Sequence, residues 1–278
     1  MDQVGQAYLS LALIEGLAFG GGLRYKYTMQ NIKAIGFDLF NTLLTAKPNA
    51  LATAVARLIG SLQESGISFE PEMFIEAHKK AAFRFIKETR TKGKETHNRF
   101  WISAALEDLG LALSPEDPRI GNAVDAYFSA FFDYCELIPG TLRMLETLKT
   151  QYRIGLLSNF THAPAARKII ETLGLTPYFE FIIISGEVGY CKPHRVVFDE
   201  LVEKMQVERE EILFVGDDPD ADIGGALDAG IKPVWMTYAN NKEIPFASSD
   251  ADMNRYSFLK DVQKITDWDD FLALFDRE

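Results

Sequence analysis

The chain has 278 residues, 47% of them hydrophobic and 25% charged, enough to bury one substantial core or one core plus an inserted module. Its 29 Lys and Arg against 40 Asp and Glu give a formal charge of −11 with no long basic run, a balance that excludes nucleic acid as the main partner. Two cysteines, Cys135 and Cys191, are too few for a disulfide framework and suit a reducing cytoplasm, which is the expected location.

Residues 7–23 are apolar, but Glu15 interrupts them and Asp2 precedes them without a Lys or Arg. That pattern argues against a signal peptide and against membrane association. Residues 1–28 read as an N-terminal extension, disordered or loosely docked, ahead of Met29. An apolar run over 32–37 predicts a short buried strand that stops at Asp38. Apolar residues then recur at helical spacing over 51–65, 71–92, 97–109 and 120–136. Pro71 marks a helix start and Gly66, Gly93 and Gly110 mark ends, so the stretch predicts a module of four helices with no strand inside it.

After Pro139-Gly140 the pattern alternates. It predicts a helix over 141–150, a strand over 153–157, a helix over 163–173 and a strand over 181–184. A helix over 196–205, a strand over 212–215, a helix over 223–229, a strand over 234–237 and a closing helix over 268–275 follow. Such alternation predicts an α/β fold, a doubly wound parallel sheet in a Rossmann-like core, with the helical module inserted after the first strand. The expected division is an extension at 1–28, a core built from 29–45 and 138–278, and an inserted helical domain at 46–137.

An ionised Asp at the end of a buried strand is costly to desolvate without a partner. Asp38 therefore reads as a nucleophile, a metal ligand or both, or else as the cap of an ordinary turn. Thr42 would hold a substrate oxygen or its own loop. Ser158 and Asn159 end a second strand just before a helix near Pro164, where a hydroxyl and free amides form an anion site or an ordinary cap. Lys192 could neutralise the nucleophile and an anionic substrate, although the Lys-Pro pair itself recurs at Lys47-Pro48 and Lys232-Pro233. Asp217, Asp218, Asp220 and Asp222 put four carboxylates into six residues behind an apolar run. They repel one another unless a cation is present, so the segment reads as a metal site rather than a solvated turn. His97, Arg99, Lys80, Arg84 and Arg90 on the helical module either reach over the site or decorate solvated faces, and Cys191 is either an activated thiol or an incidental one.

The ordered set Asp38-x-x-x-Thr42, Ser158, Lys192-Pro193 and Gly216-Asp217-Asp218-x-x-x-Asp222 resembles the haloacid dehalogenase superfamily over residues 32 to about 238. The resemblance makes the helical module the cap that many members insert after the first strand. It implies a magnesium-dependent phosphatase working through a covalent aspartyl-phosphate. Asp38 would be nucleophile and metal ligand, while Thr42, Ser158 and Lys192 hold the transferring group. Asn159 and Phe40 would touch substrate. Asp217 would be the second metal carboxylate, with Asp218 or Asp222 in support, and the Phe40 carbonyl would complete the Mg2+ contacts.

Phe40 is the departure from the pattern. Phosphatases of this superfamily carry an aspartate there as general acid and base, help worth roughly 100- to 10,000-fold. Substrates with good leaving groups, such as acyl or aryl phosphates, would suffer least. Dehalogenases of the superfamily place an aromatic at this position and need no metal, so a metal-independent 2-haloacid dehalogenase is the alternative, with Lys47 or an arginine of the cap to receive the halide. A non-catalytic phosphate-binding relative is the third reading. The carboxylate cluster weighs toward the first: a magnesium-dependent hydrolase of a small phosphorylated metabolite, with no nucleic acid or membrane partner, as a monomer or homodimer.

Overall fold

The computed structural model describes residues 29–241, 244 and 257–276, so the expected extension over 1–28 lies outside the described residues. β1 (Ala34–Phe37) is buried at every position, as a parallel strand covered on both faces must be. Next comes a short antiparallel ribbon of β2 (Leu44–Ala46) with β3 (Cys135–Leu137). Then β4 (Arg153–Ser158), β5 (Phe181–Ile184), β6 (Ile212–Gly216), β7 (Lys232–Met236) and β8 (Gln263–Ile265) join β1 in one sheet. Its order is β5-β4-β1-β6-β7-β8, with every neighbouring pair parallel. The chain winds outward from β1 through β4 to β5, then returns to the other side of β1. That reversal opens a crevice at the carboxyl ends of β1, β4 and β6.

Between β2 and β3 run α1 (Ala50–Glu64), α2 (Pro71–Lys92), α3 (Asn98–Asp108) and α4 (Pro118–Tyr134). Leu58, Leu62, Phe74, Ile102, Leu106 and Ile120 give these helices a core of their own. Around the sheet lie α5 (Thr141–Leu148), α6 (Ala163–Thr172), α7 (Arg195–Met205) and α8 (Trp268–Leu272). Phe37, Leu156 and Val215 face α5, α6 and α8 through Met144, Ile169, Trp268 and Phe271. The next strand positions, Leu157 and Phe214, face Phe198, Leu201 and Met205 of α7. Successive strand residues thus fill opposite layers, the period of two expected of a strand.

Several elements differ from the sequence expectation. The helix expected to Glu136 ends at Tyr134, and Cys135, Glu136 and Leu137 pair with Ala46, Thr45 and Leu44 instead. The partner strand sits far away in sequence, so local periodicity could not reveal it. β8 was likewise unforeseen, and α8 stops at Leu272. The ribbon is tied to the core by Thr141, whose hydroxyl donates to the Leu43 carbonyl at 2.9 Å and accepts from Trp268 Nε1 at 2.8 Å. No described helix is long and apolar enough to cross a membrane.

Candidate active site

The Asp38 N–H donates to the Val215 carbonyl at 2.9 Å, so the hydrogen bonding of the sheet extends to the residue that carries the carboxylate. The chain then doubles back. Leu43 and Leu44 N–H both donate to the Leu39 carbonyl, at 2.9 and 3.1 Å, and Asn41 takes a left-handed backbone at φ 58°. Asparagine adopts that region more readily than most side chains. The turn buries Thr42 completely, and its Oγ1 has no hydrogen-bond partner among the described residues. A buried, unsatisfied hydroxyl costs about 1–3 kcal/mol, so Thr42 is set up to receive a group that enters the crevice.

From the other side, β6 delivers Asp217, whose carbonyl accepts Trp235 Nε1 at 3.0 Å. A Cβ at Gly216 would meet the Asp222 carboxyl carbon at 2.3 Å, so glycine alone lets Asp222 fold back over the strand end. The return is made by a wide, π-type helical turn over Pro219–Gly224. Such turns are rare and recur at functional sites. Asp218 begins it, its Oδ1 accepting the N–H groups of Asp220 and Ala221, both at 2.9 Å. Its own N–H donates to Asp222 Oδ2 at 2.9 Å. Asp218 therefore caps the turn, Asp220 faces solvent, and Asp217 and Asp222 are the buried acids.

Lys192 joins the two halves. Its Nζ lies 2.6 Å from Asp38 Oδ1 and 2.7 Å from Asp222 Oδ1, almost wholly buried. Burial pulls the ammonium down, but Asp222 and Asp38 more than offset it and hold its pKa above the ordinary lysine value. The carboxylates fare worse. Burial, followed by the charges of Asp222, Asp38 and Asp218, pushes Asp217 well above the usual range. Burial also lifts Asp222 to about 7 despite Lys192. Ligand oxygens of Asp38, Asp217 and Asp222 lie within 4.8 Å of one another, and the one ammonium among them pairs with Asp38 and Asp222. An all-oxygen donor set so short of positive charge suits a hard divalent cation.

Ser158 closes β4, buried and paired in register with Ile184. The Asn159 side chain is committed: its Nδ2 donates to the Lys192 carbonyl at 2.9 Å and its Oδ1 accepts the Lys192 N–H at 2.7 Å. That two-point clamp fixes the loop carrying the lysine and leaves Asn159 its main chain for any ligand. Phe40 stands in an aromatic cluster, stacked on Phe160 at 5.5 Å and edge-on to Phe131 of α4 at 6.3 Å.

The cations of the helical module do not converge here. Lys80 pairs with Asp108 and Arg99 with Glu116, while Arg84 lies over the Phe85 ring. Arg90 is exposed on α2, and Lys47 pairs with Glu136 on the ribbon. Cys191 is buried, and burial pushes its thiol up to about 12, so it is not an activated thiol. His97 bonds His162 across the two layers at 3.0 Å. The groups that sequence reasoning missed are Glu95, Asn98 and Ser185, which belong to no motif and meet only through the fold.

The family model for haloacid dehalogenase-like hydrolases matches residues 32–230. The chain is 34% identical to the ribulose-1,5-bisphosphate 5-phosphatase of Halopiger xanaduensis, over 72% of this chain and 83% of that one. It is 30% identical to the glyceraldehyde 3-phosphate phosphatase of Pyrococcus furiosus, over 78% and 85% of the two chains. Among solved structures, a 2-haloacid dehalogenase from Pseudomonas syringae superposes with a TM-score of 0.65 at 23% identity, covering 88% of this chain and 99% of that one.

Proposed function

The chain belongs to the haloacid dehalogenase-like hydrolases, and we propose that it is a magnesium-dependent phosphatase acting on a small phosphorylated metabolite through an aspartyl-phosphate at Asp38. The observation that carries this reading is the buried set Asp38, Asp217 and Asp222, three carboxylates with a single lysine that pairs with Asp38 and Asp222. A dehalogenase would have no use for so costly a cluster. The two sequence relatives at 34% and 30% identity are named as phosphatases.

Asp38, Asp217 and Asp222 would hold Mg2+, with the Phe40 carbonyl in support. Bound there, the ion would neutralise the phosphoryl oxygens. Asp38, steadied through one oxygen by Lys192, attacks phosphorus in line with the leaving oxygen. Lys192 also offsets the negative charge that substrate brings. The Ser158 and Thr42 hydroxyls and the main chain after Ser158 orient the transferring group. Water then cleaves the acyl phosphate and returns Asp38. Phe40 can neither protonate the leaving oxygen nor activate that water, so activated phosphates are the favoured substrates.

Asp38→Asn tests the nucleophile. Phosphate release from an aryl phosphate should require Mg2+, stop in chelator, and vanish in a variant that melts like the wild type. Release that survives Asp38→Asn would sink the mechanism. The aromatic Phe40 favours one second reading, haloacid dehalogenation without metal. Halide release in chelator, with no phosphate release under either condition, would establish that reading instead.

A further inference from the structure

The three residues after Ser158 and Asn159 are each gripped by the helical module. The Phe160 ring packs on Phe128 of α4 at 5.1 Å. The Thr161 hydroxyl bonds Asn98 Oδ1 at the start of α3. His162 meets His97 through Nδ1 at 3.0 Å and Asp125 of α4 through Nε2 at 3.1 Å.

The Phe160 peptide is pinned from the core as well. Its N–H donates to Ser185 Oγ at 2.8 Å, and its carbonyl accepts the Gly186 N–H at 3.1 Å. A Cβ at Gly186 would meet the Thr161 carbonyl oxygen at 2.6 Å, so the two backbones touch directly. Ser185 is fully buried and has one proton to give, which it donates to Glu95 Oε2.

Glu95 stands on the connection between α2 and α3, and that connection is laced to the core beside Lys192. Its N–H donates to the Gly189 carbonyl at 3.0 Å, and the Cys191 N–H donates to the Gly93 carbonyl at 3.0 Å. A few residues of the helical module thus touch both the lysine loop and the segment after Ser158. Burial raises the Glu95 carboxyl above the usual range, moderated by the Ser185 hydroxyl and the Thr96 N–H.

We propose that Glu95 is a positioning residue: through Ser185 it fixes the Phe160 peptide, so that seating the helical module over the sheet edge sets Ser158 and the Asn159 main chain for the phosphoryl group. The claim rests on the phosphatase reading for its catalytic consequence, while the mechanical link stands apart from it. Because small misplacements around a reacting group are costly, Glu95→Ala and Ser185→Ala should each lower kcat/KM for p-nitrophenyl phosphate by roughly 10- to 100-fold. Glu95→Gln keeps an acceptor for the Ser185 hydroxyl and should restore most of the loss. The double variant should lose no more than either single one, since both act through one chain of contacts.

The companion measurement is amide hydrogen exchange over 158–162, with thermal melts confirming that each variant is folded. Exchange there should quicken in Glu95→Ala and stay slow in Glu95→Gln. Unchanged exchange in Glu95→Ala, equal damage from Gln and Ala, or fully additive losses would each overturn the proposal. A wild type that releases no phosphate would end the phosphatase reading, and the exchange result would then decide the positioning claim by itself.

Discussion

Asp217→Asn removes one negative charge from the buried cluster while keeping the shape of the side chain. Ligand oxygens of Asp38, Asp217 and Asp222 lie within 4.8 Å of one another. Two carboxylates at that separation repel by about 3.5 kcal/mol at an effective dielectric constant near 20. Attraction to Lys192 and the partial protonation implied by raised pKa values absorb part of this. The variant should therefore be more stable than the wild type in chelator by roughly 1–2 kcal/mol, a rise in Tm of about 2–6 °C. Magnesium should reverse the ranking. A ligand present at one hundred times its Kd stabilises the native state by about 2.7 kcal/mol, or roughly 5–10 °C. The wild type should show that shift and Asp217→Asn very little of it. Scanning fluorimetry of both proteins, in chelator and in saturating Mg2+, reads all four melting points without any substrate. A variant that melts below the wild type in chelator, or that keeps the full magnesium shift, would refute the charge-crowding argument.

Phe40→Asp should raise kcat/KM for alkyl phosphates relative to aryl phosphates by roughly 10-fold or more, at a stability cost of about 2–4 kcal/mol because the Phe160 and Phe131 rings lose their partner. An unchanged alkyl-to-aryl ratio in the folded variant would remove the missing acid as the explanation. His78, buried in the helical module, is held neutral with its pKa lowered to about 4 by desolvation. The unfolded chain takes up that proton as pH falls below about 6.5, so the module loses stability between pH 6.5 and 4, by roughly 2 kcal/mol at pH 5. Urea midpoints of wild type and His78→Gln should converge from pH 7 to pH 5; a constant gap between them would show that His78 does not carry the acid sensitivity.

Much of the core could be read from the chain because each of its elements is written locally. An apolar run ending in Asp38, a second ending in Ser158 and a third ending in Gly216 mark strand ends, and a parallel sheet brings such ends to one edge. Lys192 was legible only from its place in the order of motifs, and the fold shows why that place matters: its ammonium reaches acids that follow two different strands. The work of Asp218 was not legible. Nothing in the string separates a carboxylate that caps a turn from one aimed at the crevice, and the distinction rests on which N–H groups lie within 2.9 Å. Asn159 is a similar case, since its amide is matched to a peptide 33 residues away. Glu95 and Ser185 lie farther beyond reach, because their meaning depends on how the helical module sits against the sheet.

The surroundings of Phe40 make one kinetic consequence sharp. Its ring lies between a residue of the core loop, Phe160, and one of the helical module, Phe131. The position therefore serves contact between the layers and supplies no proton to either half of the reaction. In the proposed mechanism an aryloxide would leave without protonation, so attack by Asp38 would proceed at little penalty. Hydrolysis of the acyl phosphate would still need an activated water, and it would bear the missing base in full, roughly 100- to 10,000-fold. The second step should then limit turnover, and the covalent form should accumulate. Rapid mixing with p-nitrophenyl phosphate and Mg2+ should give a burst of nitrophenolate close to one equivalent per enzyme, followed by a slow steady rate. That steady rate should be the same for a series of aryl phosphates whose leaving groups differ in pKa, because all of them would pass through the same aspartyl-phosphate. Alkyl phosphates should show no burst, since their first step is slow as well. A linear time course whose rate follows leaving-group pKa across the aryl series would place the barrier in the first step and show that something other than residue 40 activates the water.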